Sequence, residues 1–237
     1  MKQKICVLTG AGVSAESGIK TFRDADGLWE GHDVMAVASP QGWDSNRELV
    51  LDFYNQRRNQ LHEVAPNRAH LAIVRLEPHY ETVVITQNVD DLHERAGSTH
   101  VIHLHGELRK VRSCGDAELI YDWTGDLVDG DQCEKGYQLR PHIVWFGEAV
   151  PMLETAISHV SRADIIVIVG TSMQVYPAAS LTAYAKADTP IYYIDPKPTV
   201  NYELSQQRNR LHIIEGLASS CVPDLVERLI SQKTKRP

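Results

Sequence analysis

Two histidines close one apolar run of this chain. His105, directly before Gly106, offers an imidazole whose ordinary pKa near 6.5 permits proton removal at neutral pH. His103 stands two residues earlier, on the same face if the run is extended. A metal reading of the pair is weak, because no carboxylate or cysteine follows at a regular ligand spacing. A buried, hydrogen-bonded structural role is the commoner fate of either histidine, and His103 keeps that reading. A second polar group, Thr86-Gln87-Asn88-Val89-Asp90-Asp91, ends the run Val83-Val84-Ile85. Amides at a strand's carboxyl end suit ribose hydroxyls and a carboxamide. Asn88 and Asp90 would equally cap a helix beginning near Asp91.

These groups need something to act on. Gly10, Gly12 and Ala15 fit the G-x-G-x-x-G/A turn, which brings backbone N–H groups to a pyrophosphate at a helix N-terminus. Alone the turn is weak evidence, since glycine also simply permits positive φ. Ser17 to Trp29 is too rich in Gly and Asp for the second strand of an ordinary dinucleotide fold, and reads as a lid over the cofactor. Tyr54 and Arg57, at i and i+3 of a helical run, share a face. That face is either a solvated surface or, if it lines a pocket, a phenol and guanidinium suited to a carboxylate.

The elements that hold these residues alternate. Strands are expected at 5–9, 82–86, 100–103, 143–146, 164–170, 191–195 and 211–215. Helices are expected at 46–64, 67–77, 153–161, 178–187 and 222–232. Solid Val/Ile strands between helices predict an α/β, doubly wound, Rossmann-like parallel sheet. Residues 24–64 and 107–142 break the alternation and read as two insertions forming a small second part. The large part comprises about 1–23, 65–106 and 143–237. A cleft between the parts, outside the strands' carboxyl ends, is the natural site.

The chain has 237 residues, 43% hydrophobic and 23% charged, as expected of a globular domain with a sizeable core. Its net charge of −7 argues against nucleic acid or an anionic membrane as a partner. Met1 runs almost directly into the first strand, leaving no room for a signal peptide, and no apolar run approaches a membrane span. Four scattered cysteines suit a reducing, cytoplasmic setting.

The stretch from Gly10 through Gly12, Ser14 and Ala15 to Phe22-Arg23-Asp24 resembles the signature of the sirtuin family, NAD-dependent protein deacylases. The resemblance recurs in family order at Thr86–Asp90, His105-Gly106, Phe146-Gly147-Glu148 and Gly170-Thr171-Ser172, over nearly the whole chain. It implies NAD as a consumed co-substrate, held by Gly10, Ala11, Gly12, Ser14, Ala15, Phe22, Arg23, Trp29, Gly170, Thr171 and Ser172. It places Gln87 and Asn88 on the nicotinamide ribose, Asp90 on the carboxamide, and Asp195 and Ala218 on the adenosine side. The family often has Asn where Asp195 stands. His105 is implied as the general base, with Asn88 ordering a water or ribose hydroxyl. Trp145, Phe146 and Gly147 resemble the edge that binds acylated-lysine peptides.

The implied reaction starts with attack of the acyl oxygen on the nicotinamide-bearing carbon, giving an alkylimidate. It ends in nicotinamide, free lysine and O-acyl-ADP-ribose. Tyr54-x-x-Arg57 resembles the class III branch, which removes succinyl and malonyl groups, and acetyl removal is expected to persist. Many sirtuins carry two C-x-x-C pairs for a structural zinc. Here Ala117 and Gly136 stand three positions after Cys114 and Cys133, so the expectation is no zinc, with Leu119, Ile120, Tyr121 and Trp123 packing in its stead. Two other readings stay open: an ADP-ribosyltransferase, which would leave label on protein, and a non-catalytic NAD-sensing module.

Overall fold

A computed structural model describes residues 2–20 and 28–234. Phe22 and Arg23 lie outside the described residues. The first half of the chain forms β1 (Lys4–Thr9), the single-turn α1 (Gly12–Ala15), β2 (Leu28–Trp29), β3 (His32–Asp33), α2 (Val34–Val37), α3 (Pro40–Ser45), α4 (Arg47–Gln60), α5 (Arg68–Val74), β4 (Glu81–Thr86), α6 (Leu92–Ala96) and β5 (Val101–His103). Then come β6 (Gly106–Ser113), β7 (Ile120–Asp122), β8 (Leu139–Ile143), α7 (Leu153–Val160), β9 (Ile165–Val169), a 3-10 helix over Ala178–Tyr184, β10 (Ile191–Asp195), α8 (Tyr202–Ser205), β11 (Leu211–Glu215) and α9 (Ala218–Thr234).

Six strands make one parallel sheet in the order β11-β10-β9-β1-β4-β5. Counted along the chain within that sheet, this is the 3-2-1-4-5-6 order of a dinucleotide fold, reversing between β1 and β9. Register brings the strand ends level: Thr9 pairs with both Thr86 and Val169, and Thr86 pairs with His103. The turns after β1, β4, β5 and β9 therefore leave the sheet side by side. Solid Ile/Val strands place one core layer on each face, one centred on Val7, Val84 and Val167 and the other on Leu8, Ile85 and Ile168.

A third core gathers α2–α4 with the antiparallel sheet β7-β6-β8, around Trp43, Phe53, Tyr54, Val111, Leu127 and Trp145. Helix α4 begins where Asn46 accepts from the Leu49 N–H, with Glu48 in its first turn and Arg57 and Arg58 in its last, as the helix dipole favours. Arg58, fully buried, ties α4 to β6 by donating to the Leu108 carbonyl at 2.8 Å.

Several expected boundaries shift. Residues 139–143 form the strand, not 143–146. Of the Val144-Trp145-Phe146 run only Trp145 packs into the third core, while Phe146 is 42% exposed, and the run's N–H groups go to His105 (from Val144), the Glu148 carboxylate (from Trp145) and Ala38 (from Phe146). Helix α9 starts at Ala218, four residues early, with Pro223 inside it. Its cap is remote: the Glu16 carboxylate accepts from the Ser219 N–H and hydroxyl. Residues 178–184 wind as 3-10 rather than α-helix. Strand β6 was hidden in a charged stretch, because an irregularity between Gly106 and Val111 interrupts its alternation, with Leu108, Val111 and Ser113 buried and Arg109, Lys110 and Arg112 only half-buried.

Candidate active site

The meeting of the turns that follow the parallel neighbours β1 and β9 explains the glycine turn. A Cβ on Gly10 would lie 2.6 Å from the Thr171 Cβ, and one on Gly12 would lie 2.7 Å from the Gly170 Cα. Gly170 has φ +60°, and its own Cβ would meet the Val13 nitrogen at 2.3 Å. The two turns touch backbone to backbone, locked by the Gly12 N–H on the Gly170 carbonyl at 2.8 Å. Helix α1 is only four residues long, so the cradle is built by crossing turns more than by a helix end.

Above this crossing opens a cavity of about 780 Å³, within the usual range for small-molecule and cofactor sites. Gly10, Ala11, Gly12 and Ala15 line it from one turn, and Gly170, Thr171 and Ser172 from the other. Gln87, Asn88, Asp90, His105, Trp29, Asp195 and Ala218 also face it, with Tyr54, Arg57, Trp145, Phe146 and Gly147 on the opposite wall. Ser14 does not. It is fully buried behind the wall, where its hydroxyl accepts from Asn88 Nδ2 (3.0 Å) and donates to Asp90 Oδ2 (2.9 Å). His70 backs the same hydroxyl at 3.5 Å. The expected direct contact of Ser14 becomes a supporting one, since a side chain on the inner face of a one-turn helix points into the core.

That network orients the polar wall. Asp90 also accepts from the Leu92 N–H at 3.1 Å, just before α6 whose N-cap position is Asp91, and it faces the cavity. Burial pushes its carboxyl up, opposed by the Leu92 and Ser14 hydrogen bonds and by His103. Gln87 donates to the Thr171 hydroxyl at 2.9 Å, bridging β4 to β9. Because Asn88 Nδ2 is committed to Ser14, its Oδ1 remains an acceptor without a partner among the described residues.

His105 is held at Nδ1, 3.0 Å from the Gln87 carbonyl. A carbonyl only accepts, so the proton sits on Nδ1 and Nε2 carries the lone pair. Burial pushes the imidazole below its ordinary pKa, with the Gln87 bond opposing, so His105 is neutral at pH 7. The cavity thus carries two acceptors for hydroxyl groups, His105 Nε2 and Asn88 Oδ1, beside the glycine cradle.

The far wall has the opposite need. Tyr54 is fully buried, so the solvated-surface reading of this helix face fails. Its oxygen accepts from Trp145 Nε1 at 3.0 Å, leaving the phenolic proton to donate, and burial pushes the phenol up. Arg57 lies 4.6 Å from the Phe53 ring centroid, and its Nε and Nη1 are buried without a partner among the described residues. Burial lowers the guanidinium's pKa, with Glu30 and Asp52 opposing. Arg140 lies 3.3 Å over the Trp145 ring and pairs with Glu148.

The residues at the cysteine pairs do not fit a metal. Cys133 donates to the Ser113 hydroxyl at 3.3 Å, Cys114 is exposed, and no cluster of three ligand-type side chains occurs among the described residues. Leu119, Tyr121 and Trp123 pack against the third core as expected, but Ile120 is 43% exposed, because β7 is an edge strand and turns that residue outward. Lys135 on Asp116 and Tyr121 on Glu134 close the module instead. Glu16, Gln60 and Tyr176 at the cavity rim carried no sequence signal, since each arrives by tertiary proximity.

A profile of the Sir2 family matches residues 10–177. The chain is 59% identical to a Helicobacter pylori protein named NAD-dependent protein deacylase, over 96% of this chain and 98% of that one. It also resembles the crystal structure of a Sir2 homologue–NAD complex, with TM-score 0.86 and 39% identity over 98% of this chain and 91% of that one. A Sir2 protein bound to acetylated peptide aligns at TM-score 0.75 and 27% identity over 98% of this chain and 94% of that one. With its sheet order, its crossing glycine turns and its imidazole and amide at the strand ends, this chain belongs to the Sir2 family.

Proposed function

We propose that this chain is an NAD-dependent protein-lysine deacylase acting on succinyl-, malonyl- and acetyl-lysine, and that His105 and Asn88 serve the reaction. The observation that carries the reading is the cavity's polarity: hydroxyl acceptors at one wall, unpaired guanidinium donors at the other. NAD, when bound, supplies the electrophilic carbon that takes the acyl oxygen. The glycine cradle suits its pyrophosphate, since side chains are missing where the two turns cross. His105 Nε2 is then the base for a ribose hydroxyl, and Asn88 Oδ1 accepts from another hydroxyl or a water. Trp145, Phe146 and Gly147 hold the acyl-lysine chain against the third core.

Arg57 selects the acyl group. Its buried donors are satisfied by a carboxylate and left desolvated by acetyl. The large part, about 1–23, 65–106 and 143–237, binds NAD, and the small part, 24–64 and 107–142, supplies the acyl pocket. Four free cysteines fit work in a reducing cytoplasm. No helix among the described residues is long and apolar enough to cross a membrane.

The test is an NAD-dependent assay on acetyl-, malonyl- and succinyl-lysine peptides, following nicotinamide and O-acyl-ADP-ribose. In Tyr54→Phe/Arg57→Met, succinyl-lysine kcat/KM should fall by at least about tenfold, while acetyl-lysine changes far less. Equal loss on both substrates rejects the acidic-acyl reading. Radiolabel retained on the protein would favour ADP-ribosyl transfer instead.

A further inference from the structure

His103 does more than fill space. Its Nδ1 lies 3.0 Å from the Asn88 carbonyl, and its Nε2 lies 2.7 Å from the Glu94 carboxylate. Both partners only accept. A neutral imidazole has one N–H and can serve one of them, whereas an imidazolium serves both. His105 makes the matching bond to the preceding carbonyl, Gln87, so two imidazoles from one chain segment clamp successive peptide units of the amide pair.

We propose that His103 is a positioning residue for the reaction: as an imidazolium held by Glu94, it clamps the main chain of Asn88 and so fixes the Asn88 amide in the cavity. This rests on the reading of Asn88 and His105 as reaction-site groups. The groups around His103 are Glu94 and His93 from α6, Glu107 with its partner Lys110 from β6, and Asp90 from the loop after β4. Burial opposes the charge on His103, but the Glu94 bond and the charges of Glu94 and Glu107 outweigh it, and its pKa is raised above 6.5. When the proton leaves, the charged Glu94 retains the remaining N–H and the Asn88 carbonyl loses its donor.

The experiment is the pH profile of kcat/KM for NAD, with NMR titration of the His103 ring. The wild type should rise on the acid side as His105 becomes neutral and fall on the alkaline side as His103 loses its proton. In Glu94→Gln the alkaline limb and the NMR midpoint should both move down by about one pH unit or more, the size of a lost charge-assisted hydrogen bond. His103→Asn keeps a donor near the Nδ1 position and cannot titrate, so it should lose this limb and turn over faster than His103→Phe, which has no donor. An unchanged limb in both Glu94→Gln and His103→Asn, or equal turnover of the Asn and Phe variants, overturns the proposal. A merely structural histidine would change melting temperature and leave the limb in place. Wild-type turnover in His105→Ala would instead remove the underlying reading, while the NMR midpoint would still report the Glu94 clamp.

Discussion

At the scale of single residues, the ring of His105 is backed by a main-chain carbonyl and not by a carboxylate. Its Nδ1 proton is fixed by a main-chain carbonyl, which sets the tautomer while adding no full charge to raise basicity. Burial then keeps the ring neutral at pH 7, the form a base requires. His105→Ala should cut kcat by about 10²–10⁴-fold or more while NAD binding, followed by calorimetry, stays within a few-fold. Near-normal deacylation by this variant would remove His105 from the reaction. Residue type and spacing left both histidines with a structural reading, and the family resemblance singled out the imidazole before Gly106. The partners were not readable, because Gln87 and Asn88 reach the histidines only through the pairing of β4 with β5.

At the scale of elements, the β7-β6-β8 module stays together without two thiol pairs. Leu127 and Val111 are fully buried beneath it, Cys133 binds Ser113, and salt bridges and hydrogen bonds close the loops. Purified protein should hold well under one zinc per chain by elemental analysis. A chelator should leave its melting temperature unchanged, in contrast to a domain whose folding energy comes from metal. Stoichiometric zinc would show that ligands of another type complete a site. Spacing alone exposed the missing thiols, but the choice of Leu119, Ile120, Tyr121 and Trp123 as their replacement was only partly right. Which residues of a short edge strand face inward depends on the register with β6, where Val111 opposes Tyr121, and no local pattern encodes that.

At the scale of the whole molecule, buried neutral histidines make the fold acid-sensitive. His70 is fully buried and its pKa is lowered by burial to about 4, with Glu94 opposing. His93 beside it is lowered in the same way, first by burial and then by His70. In the unfolded chain both titrate near 6.5, so below that value, for His70 down to about 4, the unfolded state binds more protons. The contribution of His70 is complete above pH 6.5 and is lost as pH falls toward about 4, and that of His93 is lost in the same direction. His70 alone makes the unfolding free energy drop on the order of a few kcal/mol over that window. Urea unfolding at pH 7 and pH 5 measures it, and equal midpoints would rule out the assignment.

What the sequence determined by itself is local and periodic. Solid Ile/Val runs bounded by glycine mark parallel strands because both faces are covered, and a glycine pair after the first strand marks a close backbone approach. The order and spacing of chemical groups along the chain carried the family resemblance, which needs no coordinates. The tertiary structure alone decided three things. Level strand ends, set by register, placed Gly10, Gln87, His105 and Gly170 at one edge. The packing of α4 against Trp145 buried Tyr54 fully and, with it, the Nε and Nη1 of a half-buried Arg57, where the sequence left a solvated surface open. The remote cap from Glu16 set the start of α9. Each joins residues far apart in the chain, and such contacts depend on shape and burial that a local window of sequence does not contain.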